Sequence, residues 1–260
     1  MVDIHTHILP QMDDGSSSVE ETMQMLRQLA QQGVKTVVAT PHFYPRKDNP
    51  KAFLARREAS VALLPDMDEN LPKIILGAEV AYFTGMSRSE ELEKLQLGQT
   101  GLLLIEMPFD NWTDRIVQEV CEIPAKRGLQ PVIAHVNRYR HRRQLGKYAQ
   151  VLLREGVLFQ CNADAFDKLF NRIWTVKALK NGQIHFLGSD CHNCTTRPPK
   201  IAVARKKILE AAGNAPLEQI AQTEAEYFKS KMTSGVKTGG HFYASFKKSS
   251  IFSWMGHWAL

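Results

Sequence analysis

Val2-Asp3-Ile4-His5-Thr6-His7-Ile8-Leu9-Pro10, running on to Asp13-Asp14-Gly15, is the stretch from which the rest of the chain is read. Its apolar and β-branched residues predict a strand. Side chains on a strand alternate between faces, so His5 and His7 project to the same side, spaced to share a metal ion or to sit on neighbouring ones. Two imidazoles need further ligands. Three protein ligands with an open position make a catalytic metal site, and imidazoles joined by carboxylates suit Zn, Mn or Fe.

Further ligands stand downstream in a repeated context. His42 follows Thr40-Pro41, Glu79 follows Gly77-Ala78, and Glu106 follows the apolar run Leu102 to Ile105. His135 follows Val132-Ile133-Ala134, and Asp190-Cys191-His192 follows Phe186-Leu187-Gly188-Ser189. Each of these groups ends a strand-like run. A glutamate at the end of an apolar strand is costly to bury unless it is paired or metal-bound, so Glu79 and Glu106 carry more information than surface acids.

Between these points the chain alternates. Ser18-x-x-Glu21 has capping-box spacing and opens a helix over Val19 to Gln32, closed by Gly33. Val34 to Thr40 reads as a buried strand, which makes the opening β-α-β. A loop from Phe43 to Pro50 precedes a helix over Ala52 to Leu64, and Phe43 and Tyr44 either line a substrate entrance or pack the loop. Lys73 to Leu76 and Gly101 to Ile105 are strands. Thr113 to Arg127 is a helix that Pro124 should kink or shorten. Gln130 to Ala134 is a strand, and the following loop carries Arg138, Arg140, Arg142 and Arg143. Leu145 to Glu155, Ala165 to Lys180, Lys200 to Ala212 and Leu217 to Phe228 read as helices, with strands at Val157 to Cys161 and Ile184 to Gly188. Strand alternating with helix argues for a parallel sheet.

A chain of 260 residues that is 43% hydrophobic is long enough for one large core, the usual state of α/β barrels of roughly 200–250 residues. No apolar run approaches the roughly 18 residues of a membrane span and no signal-type segment begins the chain, so a cytoplasmic protein without stable membrane insertion is expected. Four cysteines, Cys121, Cys161, Cys191 and Cys194, are too sparse for a disulfide framework and read as free thiols. The net charge of +6 is concentrated at one end: residues 229–260 hold Lys229, Lys231, Lys237, Lys247 and Lys248 and no acid. The body, residues 1–228, is therefore nearly neutral, and residues 229–260 form a basic tail with neither helical nor strand periodicity.

Taken together, Asp3-Ile4-His5-Thr6-His7-Ile8-Leu9-Pro10, Asp13-Asp14-Gly15, Thr40-Pro41-His42, Gly77-Ala78-Glu79, His135 with Arg138-Tyr139, and Ser189-Asp190-Cys191-His192-Asn193 with Arg197-Pro198-Pro199 resemble the polymerase-and-histidinol-phosphatase (PHP) superfamily. Within it the chain is similar to the bacterial manganese-dependent tyrosine phosphatases of capsule and exopolysaccharide synthesis. The resemblance covers about residues 1–215. It implies an α/β fold, a distorted (β/α)7-type PHP barrel in a single domain over residues 1–228, and a cluster of three Mn ions, with Fe or Zn as the alternatives. It makes His5, His7, Glu79 and Asp190 ligands of one metal site, with Glu79 bridging, and His42, Glu106, His135 and His192 ligands of the others. Arg138 and Arg197 match phosphate-holding arginines, and Asp14 joins them as a catalytic candidate. The sequence departs from the family pattern at Gln11, where Gly is usual, at Val136-Asn137, where Pro-Glu is usual, and at Cys191, where a small apolar residue is usual.

The implied function is hydrolysis of phosphotyrosine by a metal-bound hydroxide, on a protein tail that a bacterial tyrosine kinase would carry, in the regulation of capsular or exopolysaccharide synthesis. No phosphocysteine intermediate is expected. Competing functions are hydrolysis of histidinol phosphate or another small phosphate ester, nuclease activity, and a non-catalytic docking module. The nearly neutral body argues against a nucleic-acid partner. The oligomeric state is left open.

Overall fold

Val2–Thr6 (β1) is buried along its whole length and pairs in parallel with Thr36–Ala39 (β2). The computed structural model describes residues 1–110, 112–139, 143–167 and 169–229. Arg140, Arg142 and the expected tail from residue 230 onward lie outside the described residues.

β2 runs through Thr40-Pro41 into a short strand, His42–Phe43 (β3), and Lys73–Leu76 (β4) runs through Gly77-Ala78 into Glu79–Ala81 (β5). Pairing survives both interruptions, because Gly77 N donates to Ala39 O at 2.8 Å and Glu79 N donates to Pro41 O at 3.1 Å. Each broken pair therefore acts as one stave. The remaining staves are Leu102–Glu106 (β6), Gln130–Ile133 (β7), Leu158–Asn162 (β8) and Phe186–Gly188 (β9), and every ladder among the described strands is parallel. At its far edge the sheet curls back on its start. Asp190 N donates to His5 O at 2.8 Å, His7 N donates to Cys191 O at 2.9 Å, and a bridge joins Thr6 to Cys191. The seven expected staves are present as one curled parallel sheet, a half-barrel whose edges β9 and β1 meet at the ends from which the candidate ligands project.

The crossovers are helical where the sequence carries helical periodicity. Ser18 Oγ accepts from Glu21 N at 3.2 Å and opens Val19–Gln31, while the Glu21 carboxylate takes Ser17 N at 2.9 Å instead of the cap residue's own amide. Pro50, expected as loop punctuation, is the first residue of Pro50–Ala62, with Asn49 as its cap; proline suits the first turn, where no N–H is needed. Pro124 divides the expected helix into Asp114–Cys121 and Ile123–Arg127. The crossover from β5 to β6 holds only two short 3-10 turns, Met86–Arg88 and Glu90–Lys94. Phe43 belongs to the core, edge-on to Phe53 at 5.2 Å, while Tyr44 is exposed. Of the two aromatics, only Tyr44 is left for an entrance.

Two apolar clusters divide the interior. One lies between sheet and helices and includes Met25, Leu26, Leu29, Leu103, Ile105 and Ile208. The other includes Ile4, Val38, Leu104, Val132, Phe186 and Phe228. Apolar residues fill the barrel below, so its polar side chains gather at the C-terminal ends of the strands, where parallel α/β folds place their sites.

The turn after β1 is tight. Gln11 has a left-handed φ of 59° while its N–H donates to Ser16 O at 2.8 Å. Gly15 lies so close under β1 that a Cβ there would come within 2.2 Å of His7 O. Left-handed backbone costs an L-residue roughly 1–2 kcal/mol that glycine escapes, less what glycine loses in unfolded-state entropy. Gln11→Gly is therefore expected to raise stability by roughly 0.5–1 kcal/mol. Gly15→Ala is expected to lower it by roughly 1–3 kcal/mol, the range of an overpacking change. Urea denaturation of both variants checks the pair, and equal effects of one sign would contradict this account of the turn.

Candidate metal centre

Four polar atoms from three staves converge at the barrel mouth. His5 Nε2 lies 3.2 Å from His7 Nε2, 3.3 Å from Glu79 Oε2 and 3.6 Å from Asp190 Oδ1. His7 Nε2 is 3.4 Å from the same Glu79 oxygen and 3.5 Å from the same Asp190 oxygen. All four residues are buried. Donors at about 2.0–2.2 Å from a common ion sit roughly 3–3.5 Å from one another, so this spacing suits a divalent cation at the centre of the group. Asp190 reaches the group from a left-handed φ of 52°, and His135 from 34°. Both sit just beyond strand ends, where turning the backbone inward directs the side chain into the mouth.

Glu79 extends the cluster. Its Oε2 also lies 2.9 Å from His42 Nδ1, and its Oε1 lies 2.8 Å from His135 Nε2, which is 3.5 Å from Glu106 Oε1. His42, Glu79 and Glu106 form a second possible donor set, and His7, Asp14, His42 and His192 a third. In the third set Asp14 Oδ1 stands 3.5 Å from His42 Nε2 and 3.4 Å from His192 Nε2. His192 Nε2 and His42 Nδ1 are buried and make no hydrogen bond, although acid oxygens are near. Orphaned lone pairs aimed at carboxylates are what a shared cation would satisfy. All eight ligands expected from the sequence meet here, and so does Asp14, expected as catalytic.

The electrostatics favour bound positive charge. Burial opposes ionisation of Glu79, but His5, His135 and His42 outweigh it and hold its carboxyl well below the ordinary range. At Asp190 burial is likewise outweighed, by His5, Arg138 and His7. Burial also disfavours charge on His7, yet its bonds to Asp13 and Glu79 lift it to about 10. His192 is pushed down to about 4 by burial and by the neighbouring His7, which leaves it neutral and able to donate a lone pair. With several carboxylates ionised and buried together, the centre needs either protonated imidazoles or metal ions, and metal binding would release those protons.

Arg138 and Arg197 both reach the far oxygen of Asp190. Arg138 Nη2 bonds Asp190 Oδ2, and Arg197 Nη2 lies 2.9 Å from it. Both side chains are about one-third exposed, at 31% and 37%, so neither arginine is sealed off by its bond to Asp190. Tyr44 stacks on His42 with ring centroids 5.0 Å apart, and Phe109, also exposed, lies parallel to His135 at 6.2 Å.

Asp13 is the residue whose role sequence reasoning missed. Its Oδ2 accepts from His7 Nδ1 at 2.7 Å and from His42 N at 2.8 Å, fixing the ring so that Nε2 faces the cluster. The repeated acid in Asp13-Asp14-Gly15 was the available signal. Two thiols stand at a telling spacing. Cys121 and Cys191 each stand six residues before an arginine, Arg127 and Arg197, the spacing found in thiol nucleophile loops. Neither works as one. Cys121 closes a helix, and burial together with Glu155 and Glu122 pushes its thiol up to about 11; burial and Asp3 push Cys191 well above the usual thiol range. A nucleophilic cysteine needs its thiolate stabilised, so the expectation of no phosphocysteine intermediate rests on environment and not on spacing.

Residues 1–228 match the family model described as capsular polysaccharide synthesis, CpsB/CapC. The tyrosine-protein phosphatase YwqE of Bacillus subtilis is 32% identical over 205 residues, covering 76% of this chain and 79% of YwqE. The tyrosine-protein phosphatase CpsB of Streptococcus agalactiae is 28% identical over 233 residues, covering 85% of this chain and 94% of CpsB. A solved structure from work on YwqE of B. subtilis and CpsB of Streptococcus pneumoniae, described as unique metal-dependent tyrosine phosphatases, superposes with a TM-score of 0.70 at 26% identity, covering 87% of this chain and 94% of that one. With the motif residues of β1 through β9 assembled into one centre, the chain belongs to the CpsB/CapC family of capsular polysaccharide synthesis.

Proposed function

We propose that this chain is a metal-dependent tyrosine-protein phosphatase of capsule synthesis that uses a cluster of three Mn(II) ions. The observation that carries this reading is the convergence of His5 and His7 Nε2, Glu79 Oε2 and Asp190 Oδ1, with two arginines on the outer oxygen of Asp190. His5, His7, Glu79 and Asp190 would hold one ion, and His42, Glu106, His135 and His192 would hold the others. When bound, such ions supply Lewis acidity and a water of lowered pKa.

The protein's own groups do the rest. Arg138 and Arg197 take the non-bridging phosphoryl oxygens, since planar guanidinium matches phosphate bidentately and gains most as charge shifts in the transition state. Asp14, 66% exposed, is the most open acid among these donors and is placed to exchange a proton with an incoming ester. Tyr44, stacked on His42 and partly exposed, gives an aromatic leaving group an apolar edge to pack against, which favours phosphotyrosine over an aliphatic ester. Among the described residues no helix is long and apolar enough to cross a membrane. We place the protein in the cytoplasm, acting on the phosphorylated tail of a tyrosine kinase.

Turnover of a phosphotyrosine peptide, histidinol phosphate and single-stranded DNA with Mn(II) tests the assignment. The peptide should be hydrolysed with the highest kcat/KM, and preference for either of the others would overturn it. His5→Ala and Glu79→Ala are expected to abolish turnover and to lower metal content measured on the same samples. Arg138→Ala and Arg197→Ala should each cost roughly 2–4 kcal/mol in kcat/KM, the scale of one lost charge-stabilising donor, at full metal occupancy. Metal lost along with activity would instead assign the arginines to holding Asp190 in place.

A further inference from the structure

β8 is the stave that brings no candidate ligand to the mouth. Where its neighbours carry histidine or acid, it carries Gln160 and Asn162, two residues apart on one face and wholly buried. Amide side chains in such a position are expensive unless every group is paired. Here the pairing forms a chain. Gln160 Oε1 lies 2.6 Å from His135 N and 3.2 Å from His5 Nδ1, Gln160 Nε2 donates to Asn162 Oδ1 at 2.9 Å, and Asn162 Nδ2 donates to Asp190 Oδ2 at 2.7 Å.

The direction of this chain is fixed from both ends. A backbone N–H can only donate, so the Gln160 atom facing His135 N must be the oxygen. An ionised carboxylate can only accept, so the Asn162 atom facing Asp190 must be the nitrogen. The two assignments agree at the link between them, where amide nitrogen meets amide oxygen. The oxygen facing His135 N also faces His5 Nδ1, which must then bear the proton. Room for the chain is left by Gly188, where a Cβ would come within 2.7 Å of Gln160 Nε2 and 2.6 Å of His5 Cβ.

We infer that Gln160 and Asn162 are positioning residues for the metal centre: they hold His5 in its Nδ1–H tautomer, so that its Nε2 lone pair faces the cation, and tie that ring through one polarised amide chain to Asp190 across the same site. The inference rests on the metal-binding part of the proposed function. It gives His5 the kind of orienting partner that Asp13 gives His7, a neutral amide in place of a carboxylate. Groups that orient metal-bound histidines typically cost about 10–100-fold in metal affinity when removed.

Calorimetric titration of the metal-free full chain with Mn(II) tests it, with circular dichroism to confirm folding. Gln160→Leu should bind Mn(II) about 10–100-fold more weakly than the native chain. Gln160→Glu keeps an oxygen facing both His5 Nδ1 and His135 N but gives up the donor to Asn162 Oδ1, and should recover part of that loss. Native affinity in Gln160→Leu, or equal weakness in the two variants, would overturn the relay. If Gln160→Leu does not fold, the native chain decides: nitrogen-15 histidine spectra of the Zn(II)-loaded protein should show a ring N–H at His5 Nδ1 with a cross-peak to the Gln160 amide, and a proton on Nε2 would overturn the inference. A chain that binds Mn(II) with these dependences yet leaves phosphotyrosine peptide intact would refute the proposed activity and leave the relay standing.

Discussion

One buried carboxylate organises this molecule. Glu79 is 1% exposed, and both its oxygens are engaged, Oε2 beside His5, His7 and His42 and Oε1 beside His135. Those histidines come from three further staves, so the position of a single side chain sets how far apart the strand ends can stand. The chain meets that demand with its backbone. β4 breaks at Gly77-Ala78 so that Glu79 can turn into the mouth, and a Cβ at Gly77 would press to 2.7 Å from Leu97. An anion at this depth is unfavourable without compensating positive charge, which is why imidazoles surround it.

The polar mouth and the apolar floor are also separated by where side chains can be satisfied. Below the mouth the staves contribute Ile4, Val38, Leu104 and Val132 to a dry interior. At the mouth the polar groups answer one another: Asp13 orients His7, and Asp190 receives Arg138 and Arg197 on one oxygen while the other faces the histidines. Two left-handed residues, His135 and Asp190, mark the boundary. Strain at such positions persists only where surrounding bonds over-determine it, and here the bonds are those of the centre itself.

Much of this was legible in the sequence because it depends on local pattern. The period-two spacing of His5 and His7 and the recurrence of acids and histidines after apolar runs are properties of strands, and they survive folding unchanged. What stayed hidden depends on partners far away along the chain. Gln160 and Asn162 look like ordinary polar residues of a half-exposed strand until His5, His135 and Asp190 close over them. Phe43 and Tyr44 were indistinguishable in sequence, since only the path of β3 sends one ring to Phe53 and the other to His42. The arginine spacing after Cys121 and Cys191 misleads in the opposite direction, because the first runs through helix and the second starts from a thiol that burial and Asp3 keep protonated. Gln11 was visible as a departure, but its left-handed φ, the reason glycine suits the position, was not.

The way the sheet curls back on its start has a consequence for how the protein comes into being. On β1, Asp3 Oδ1 accepts from Ser189 N at 2.8 Å and Val2 N donates to Glu224 Oε2 at 3.0 Å, partners 186 and 222 residues away. Contacts of such separation form late, because the intervening chain must first be made and closed. The strand that carries His5 and leads into His7 therefore stays paired with β2 alone along one edge until the segments around Ser189 and Glu224 have docked. Assembly of the site that His5 and His7 open is thereby coupled to closure of the sheet, and a chain stopped before β9 would present His5, His7 and Glu79 without the carboxylate of Asp190 that stands beside them.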